Sequence, residues 1–285
     1  MGKFDEALRK AEAASCGTAA KAADSKAPES KGNEIDALRL DIAAPTQAPG
    51  APSPRFSGKI EHLMVSLLDN QSVAAEQFRL LRTKIFCKDA ACTSRAIMVT
   101  SPQSLDGKST VAANLAVTIA KSINEHVLLV DCDLRRPILH QFFGIPKSSG
   151  ISDYLEKGTS VAPYFLKTEV NKLTLLPAGN PPPNPAELLS SDKMRELVEE
   201  LRNRYQDRCI IFDSAPLGIA AETGFLSTMM DGVLLVIRYG RTSNKTIMQA
   251  VENVSPDKIL GIVFNAHEER PRDYKHYYRY HRKGK

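Results

Sequence analysis

Six short runs of aliphatic and β-branched residues recur along the chain: Ala96 to Thr100, Val127 to Asp131, Leu173 to Pro177, Cys209 to Asp213, Val233 to Arg238 and Leu260 to Asn265. They are apolar almost throughout rather than alternating, so both faces of each strand must be covered. Stretches with helical spacing near 108–122, 191–205, 222–230 and 243–254 supply the covers. The pattern predicts an α/β fold, a doubly wound and mostly parallel sheet with helices on both faces. A further helix is expected from about Ser72 to Phe86, and the Pro181-Pro182-Pro183-Asn184-Pro185 run reads as a rigid loop before a helix near Ala186.

Three of these runs end in residues that carry chemistry. The first is followed by Ser104-Leu105-Asp106-Gly107-Lys108-Ser109-Thr110 and then by the helical Val111-Ala112-Ala113-Asn114. A strand, a loop and a Gly-Lys-Ser that opens a helix set backbone N–H groups and the positive helix end against phosphates, with Lys108 on the outer phosphates and Ser109 on Mg²⁺. The second run leads into Asp131-Cys132-Asp133-Leu134-Arg135-Arg136, and the fourth into Asp213-Ser214-Ala215-Pro216. Ligands of open parallel sheets bind at the carboxyl ends of strands, so these aspartates and the phosphate loop converge on one crevice. Ser109, Asp131 and Asp213 are the candidate metal contacts, because Mg²⁺ keeps most of its water and needs only one or two carboxylates. Each aspartate taken alone could equally be a helix N-cap. The loop departs from the common G-x-x-x-x-G-K-[ST] pattern: Pro102 stands at the first glycine, and Leu105 stands where related loops place another. If Leu105 adopts positive φ, strain of about 1–3 kcal/mol follows.

The ends of the chain differ from its middle. Residues 1–59 hold a short amphipathic start (Phe4, Leu8, Ala11) and then an Ala/Pro-rich stretch with little to bury, expected to be a flexible segment. Residues 60–266 form the expected folded domain. Residues 267–285 carry seven Lys/Arg against three acids, a net +4 out of the chain's formal +5, and hold Tyr274, Tyr277, Tyr278 and Tyr280, half of all eight tyrosines. Burial cannot explain aromatic residues in so basic a tail; a surface for nucleic acid or anionic lipid is the plain alternative. No apolar run reaches the roughly 18 residues of a membrane helix, and no secretory leader or myristoylation pattern is evident at Met1-Gly2. Five scattered cysteines without a C-x-x-C suit reduced thiols. Glu76, Arg79 and Arg82 share one face of the Ser72–Phe86 helix, a pattern that intrahelical pairing also explains.

Taken together, these residues resemble the bacterial tyrosine kinases (BY-kinases), the CpsD/CapB type of capsular and exopolysaccharide autokinase, including its EpsG-like forms. The resemblance runs from about residue 60 to the end. Gly107-Lys108-Ser109 looks like the family's Walker A, Val127 to Pro137 like its Walker A′ and Ile210 to Pro216 like its Walker B. Gly150-Ile151-Ser152-Asp153-Tyr154-Leu155, Leu176-Pro177-Ala178-Gly179, Asn184 to Leu189 and Asp231 to Val236 match further. Departures are Ser104-Leu105 in place of Pro-Gly, Ala215 within the usual Asp-x-Pro-Pro, and Glu222 where Asp is common.

The resemblance implies a P-loop tyrosine autokinase using ATP and Mg²⁺. Its catalytic residues would be Lys108, Asp131, Asp133 and Asp213, with Asp131 as candidate proton acceptor, and its nucleotide loop Ser104 to Thr110. It implies autophosphorylation at Tyr274, Tyr277, Tyr278 and Tyr280, and a homo-oligomeric ring built through Glu76, Arg79 and Arg82. The expected partners are a separate membrane adaptor of the polysaccharide co-polymerase (Wzz-like) type and a cognate tyrosine phosphatase, with no nucleic acid. The expected location is cytoplasmic, peripheral at the inner face of the membrane through a partner. The nearest rival is a MinD/ParA-like positioning ATPase. Its signature lysine, five residues before the loop lysine, is here Gln103, and the tyrosine cluster also argues against it. A nucleotide-binding scaffold without turnover is the non-enzyme alternative.

Overall fold

The structure, a computed structural model, describes residues 62–86, 96–123, 125–158, 160–204 and 208–267. The amphipathic start, the Ala/Pro-rich segment and the four tail tyrosines lie outside the described residues. Seven strands form one sheet in the order β3-β4-β2-β5-β1-β6-β7. They are β1 (Ala96–Thr100), β2 (His126–Asp131), β3 (Leu166–Lys167), β4 (Leu173–Leu176), β5 (Arg208–Asp213), β6 (Gly232–Arg238) and β7 (Ile259–Asn265). All pair in parallel except the two-residue β3, which lies antiparallel on β4 at one edge.

The helices, numbered in chain order, are α1 (Val65–Leu68), α2 (Val73–Phe86), α3 (Lys108–Ala120), α4 (Leu139–Phe142), α5 (Ile151–Lys157), α6 (Pro185–Leu189), α7 (Asp192–Arg204), α8 (Ala221–Thr228) and α9 (Asn244–Glu252). Helix α7 buries Met194, Leu197, Val198 and Leu201, one stripe at 3.6-residue spacing. Ser243 caps α9 by accepting the Thr246 N–H. Helix α3 is different, because eleven of its thirteen residues are buried and it has no polar face to show solvent. It runs through the middle of the domain, packed between the sheet and the α1–α2 pair. Its small Ala112, Ala113 and Ala116 permit that close approach on several sides.

One buried polar residue ties the α1 segment to this helix. Asn114 accepts the Ser66 N–H (2.9 Å) and donates to the carbonyls of Leu63 and Thr110 (both 2.9 Å). Replacing it strands a buried N–H, which costs about 1–3 kcal/mol beyond the lost bonds. Asn114→Ala is therefore expected to lower stability by about 2–4 kcal/mol in a denaturant titration, with α1 detaching first.

The topology does the work that matters for function. Strands β2, β5 and β1 are adjacent at the centre of the sheet, and the chain leaves them in different directions. The carboxyl ends of these three strands are the Asp131, Asp213 and phosphate-loop positions, so the fold gathers them at the switch point of a doubly wound sheet.

Candidate active site

The phosphate loop spans Ser101 to Gly107, between β1 and α3. Its shape is set by two left-handed residues, Leu105 (φ 69°) and Gly107 (φ 95°). Leu105 is a non-glycine in the conformation that the sequence flagged as strained, and its side chain is exposed. Helix α3 starts at Lys108 with no side-chain cap, so its first N–H groups face the loop. Leu105→Gly is expected to raise stability by a net of about 0.5–1 kcal/mol, since relief of left-handed strain exceeds the added chain entropy. A thermal melt checks it, and an unchanged or lower midpoint would contradict the strain.

Lys108 is the hub. Its Nζ lies 2.8 Å from Asp133 Oδ2 and 3.7 Å from Asp213 Oδ1, and it donates to Ser109 Oγ at 3.0 Å. Asp131 and Asp213 are in register on neighbouring parallel strands, so their carboxylates project from the same side of the sheet. The structure thus brings together Lys108, Ser109, Asp131, Asp133 and Asp213, all buried or nearly so. The two strand-end aspartates differ in their surroundings. Asp131 accepts the N–H groups of Asp133 and Leu139, both at 3.2 Å, and so pins the turn after β2. Asp213 has both oxygens buried, and neither accepts a hydrogen bond of ordinary geometry among the described residues.

The electrostatics follow from burying three carboxylates around one ammonium. Burial disfavours the Lys108 charge, but Asp213, Asp133 and Asp131 outweigh it and hold the lysine above its ordinary value. Burial and the Asp213 charge push the Asp131 carboxyl up to about 8, against Lys108 and the Leu139 N–H. Burial pushes Asp213 up to about 6, against Lys108 and the nearby Ser109 hydroxyl. A carboxyl with a raised folded pKa stabilises the fold below its unfolded value, near 3.9, and loses that contribution as pH rises through the folded value. Asp213→Asn should therefore gain thermal stability relative to the parent as pH rises from about 4 to about 7, without nucleotide. Parallel melting curves across that range would contradict the assignment.

A fully buried carboxylate that accepts no hydrogen bond of ordinary geometry, beside a serine hydroxyl at a phosphate loop, fits a Mg²⁺ contact. Among the described residues no group of three or more His, Cys, Asp or Glu side chains is arranged to hold a metal by itself. This suits an ion that shares its shell with water and phosphate oxygens.

Not every loop residue presents its side chain to this space. The Asp106 side chain is fully buried and accepts from Thr242 Oγ1 (2.8 Å), so it braces the loop and offers only its backbone to phosphate. The Leu105 side chain likewise points to solvent, and Thr110 is half-buried within the first turn of α3. Gln103, at the position of the rival ATPases' lysine, reaches Thr242 Oγ1 (3.3 Å) and Asp106 Oδ1 (3.4 Å). Two residues that brace the loop had no signal in the sequence: Asn265 donates to the Asp106 carbonyl (2.9 Å) and Arg238 donates to the Leu105 carbonyl (3.2 Å). Glu222, which stands where Asp is common, is buried against Arg135 (2.7 Å). Outside the crevice, Glu76 and Arg79 pair within α2, while Arg82 donates to the Thr118 carbonyl (3.2 Å). Cys132 and Cys209 are buried.

A parallel sheet with a phosphate loop, two strand-end aspartates and a buried lysine defines a P-loop nucleotide-binding domain. Residues 97–281 match the CobQ/CobB/MinD/ParA nucleotide binding domain family. The chain is 34% identical over 209 residues to the tyrosine-protein kinase YwqD of Bacillus subtilis (strain 168), covering 73% of this chain and 87% of that one. Among solved structures it is similar to the chimerical protein CapA2B2, with a TM-score of 0.68 and 28% identity over 74% of this chain and 93% of that one. It is also similar to the kinase domain of the Escherichia coli tyrosine kinase ETK, with a TM-score of 0.64 and 27% identity over 73% and 82%. The chain belongs to the CobQ/CobB/MinD/ParA nucleotide-binding family and, within it, to the bacterial tyrosine-protein kinases.

Proposed function

We propose that this kinase transfers the γ-phosphate of ATP to Tyr274, Tyr277, Tyr278 and Tyr280 of a second copy. On this reading it works in a ring joined through Glu76, Arg79 and Arg82. It would regulate capsular or exopolysaccharide polymerisation and export through a separate Wzz-like membrane adaptor, with a cognate tyrosine phosphatase resetting the tail. The observation that carries the chemistry is the convergence of Lys108, Ser109, Asp131, Asp133 and Asp213 at the carboxyl ends of β1, β2 and β5.

Each residue has a task. The loop N–H groups and the start of α3 hold the phosphates of ATP, and Lys108 moves from Asp133 to neutralise charge on the transferred group. Ser109, Asp131 and Asp213 would hold Mg²⁺. When bound, that ion offsets negative charge on the β- and γ-phosphate oxygens. The tyrosine oxygen forms the new bond to the γ-phosphorus as the bond to the β–γ bridging oxygen breaks, and that electron pair stays with ADP. The phenolic proton, with an ordinary pKa near 10, needs an acceptor. Asp131 is the candidate acceptor: burial raises its proton affinity, and a bound cation would favour the carboxylate form that can take the proton.

The tail adds a charge switch. Each phosphotyrosine contributes about −1.5 to −2, so four convert the +4 tail to about −2 to −4. Incubating the purified chain with γ-labelled ATP and Mg²⁺ tests the reading. Label on the four tail tyrosines is expected, whereas free phosphate without phosphotyrosine would favour the positioning-ATPase alternative.

A further inference from the structure

A second cavity, of about 550 Å³, lies at the other end of α3 from the phosphate loop, between α2 and the turn that enters β2. Thirteen residues of helix put roughly 20 Å between the two ends. Arg79, Arg82 and Lys121 line it together with Ala75, Ile123 and Glu125.

The cations are unevenly partnered. Arg79 is matched by Glu76, whereas among the described residues Arg82 and Lys121 donate to main-chain carbonyls, of Thr118 (3.2 Å) and Ser66 (2.6 Å). Cations at a helix C-terminus are ordinarily explained by its exposed carbonyls. Here three cations share one cavity, and burial and the Arg79 charge both depress the Lys121 ammonium. Glu125 supplies one opposing charge within the cavity. The rest of the wall mixes the polar Asn70, Thr118 and Ser122 with two apolar side chains, Ala75, which is buried, and Ile123, which is almost fully exposed at the mouth.

The geometry points to a phosphotyrosine-binding pocket in which Arg79, Arg82 and Lys121 take the phosphate, Ala75 and Ile123 flank the ring, and the occupant is the phosphorylated C-terminal tail of this chain or of a second copy. Two guanidinium groups and an ammonium suit a dianionic phosphate monoester. The volume accommodates an aryl ring as well as the phosphate. The tail's charge selects its state: at +4 it is repelled, and at about −2 to −4 it is drawn in. Reach is sufficient, because Tyr274 to Tyr280 lie nine to fifteen residues beyond Asn265, up to about 30–50 Å of extended chain. The inference rests on the kinase reading for the origin of the phosphotyrosine. Since Arg79 and Arg82 also belong to the proposed ring contact, tail docking there would compete with the neighbouring subunit and link phosphorylation to disassembly.

The test uses full-length Lys108→Met protein and a fluorescent synthetic peptide of residues 272–282 phosphorylated at Tyr277 and Tyr278, read by anisotropy. Saturable binding is expected, at least tenfold tighter than to the unphosphorylated peptide. Lys121→Met and Arg82→Ala should each weaken it at least fivefold, and the melting temperature of Lys121→Met should match the parent. Binding indifferent to both variants overturns the proposal. So does equal competition by inorganic phosphate or a phosphoserine peptide, which would mark a general anion site. Loss of binding to phosphatidylserine vesicles in the same variants, without peptide binding, would assign the pocket to a membrane instead. Because the peptide is synthetic, none of these outcomes depends on whether the chain phosphorylates itself, which the labelled-ATP assay reads separately.

Discussion

Lys108→Met is expected to reduce phosphotyrosine formation by about 10³-fold while leaving the fold intact. The magnitude follows from what the ammonium does in a buried site. A positioned charge aimed at developing charge on a transferred group typically accounts for about 10²–10³ in rate, and charges on a phosphoryl group in transit reach about 10³–10⁵. Met keeps the length and apolar stem of the side chain, so packing at the start of α3 changes little. Removing the cation leaves Asp133 and Asp213 without their shared partner. Buried carboxylates in that position take up protons instead of staying charged, so the stability penalty at neutral pH is modest and grows with alkalinity. Quantitative phosphotyrosine blotting beside a melting curve separates the two effects. A variant that retains a tenth of the parent's activity would remove Lys108 from the chemistry.

The second large effect is steric. Gly107 has φ 95°, and a Cβ built there would stand 2.0 Å from Asn265 Nδ2. Gly107→Ala therefore incurs a left-handed penalty of about 1–2 kcal/mol and an overpacking cost of about 1–3 kcal/mol. Together these make a loss of about 2–5 kcal/mol. More telling is the route: the added methyl group drives Asn265 away from the Asp106 carbonyl that it braces at 2.9 Å. The loop should then lose the backbone arrangement that faces the phosphates, and nucleotide affinity should fall by at least about 100-fold, the scale of a misplaced positioning group. Removing the obstructing side chain gives the control. Asn265→Ala in the Gly107→Ala background should recover the steric part of the stability but not the φ penalty, a positive coupling of about 1–3 kcal/mol in the double-mutant cycle. Additive losses would mean that the two residues do not press on each other.

How much of this was legible beforehand depends on the kind of residue. Ala96–Thr100 and the other five long strands were readable because both faces are apolar, a pattern that few alternatives satisfy. Helix α3 was readable from its Gly-Lys-Ser start, although its burial on nearly every side was not, since single-chain periodicity cannot reveal what α1 and α2 cover. The two-residue β3 and the one-turn α4 are too short to carry a period. Strand order was likewise invisible, because the placement of β5 between β1 and β2 is a tertiary choice.

At the candidate site, Lys108, Asp131, Asp133 and Asp213 were legible as candidates because each lies at a strand or loop end with a recognisable neighbour. Asn265, Arg238 and Thr242 were missed because their roles arise from contacts more than 130 residues distant in sequence. Asp106 was assigned to the ligand loop on position alone, and its side chain faces Thr242. The left-handed Leu105 was the more successful inference, since only a backbone requirement explains a glycine-favouring position.

One mixing experiment bears most directly on the central claim that this pocket phosphorylates the tyrosine tail of another copy. Lys108→Met chain, which retains its tail, is incubated with Mg²⁺-ATP and a chain that keeps Lys108 but has Tyr274, Tyr277, Tyr278 and Tyr280 changed to Phe. Mass spectrometry then locates the phosphate. The account predicts phosphate on the four tail tyrosines of the Lys108→Met chain, at a rate that rises with the concentration of its partner. Hydrolysis of ATP with an unmodified tail in the mixture would contradict it.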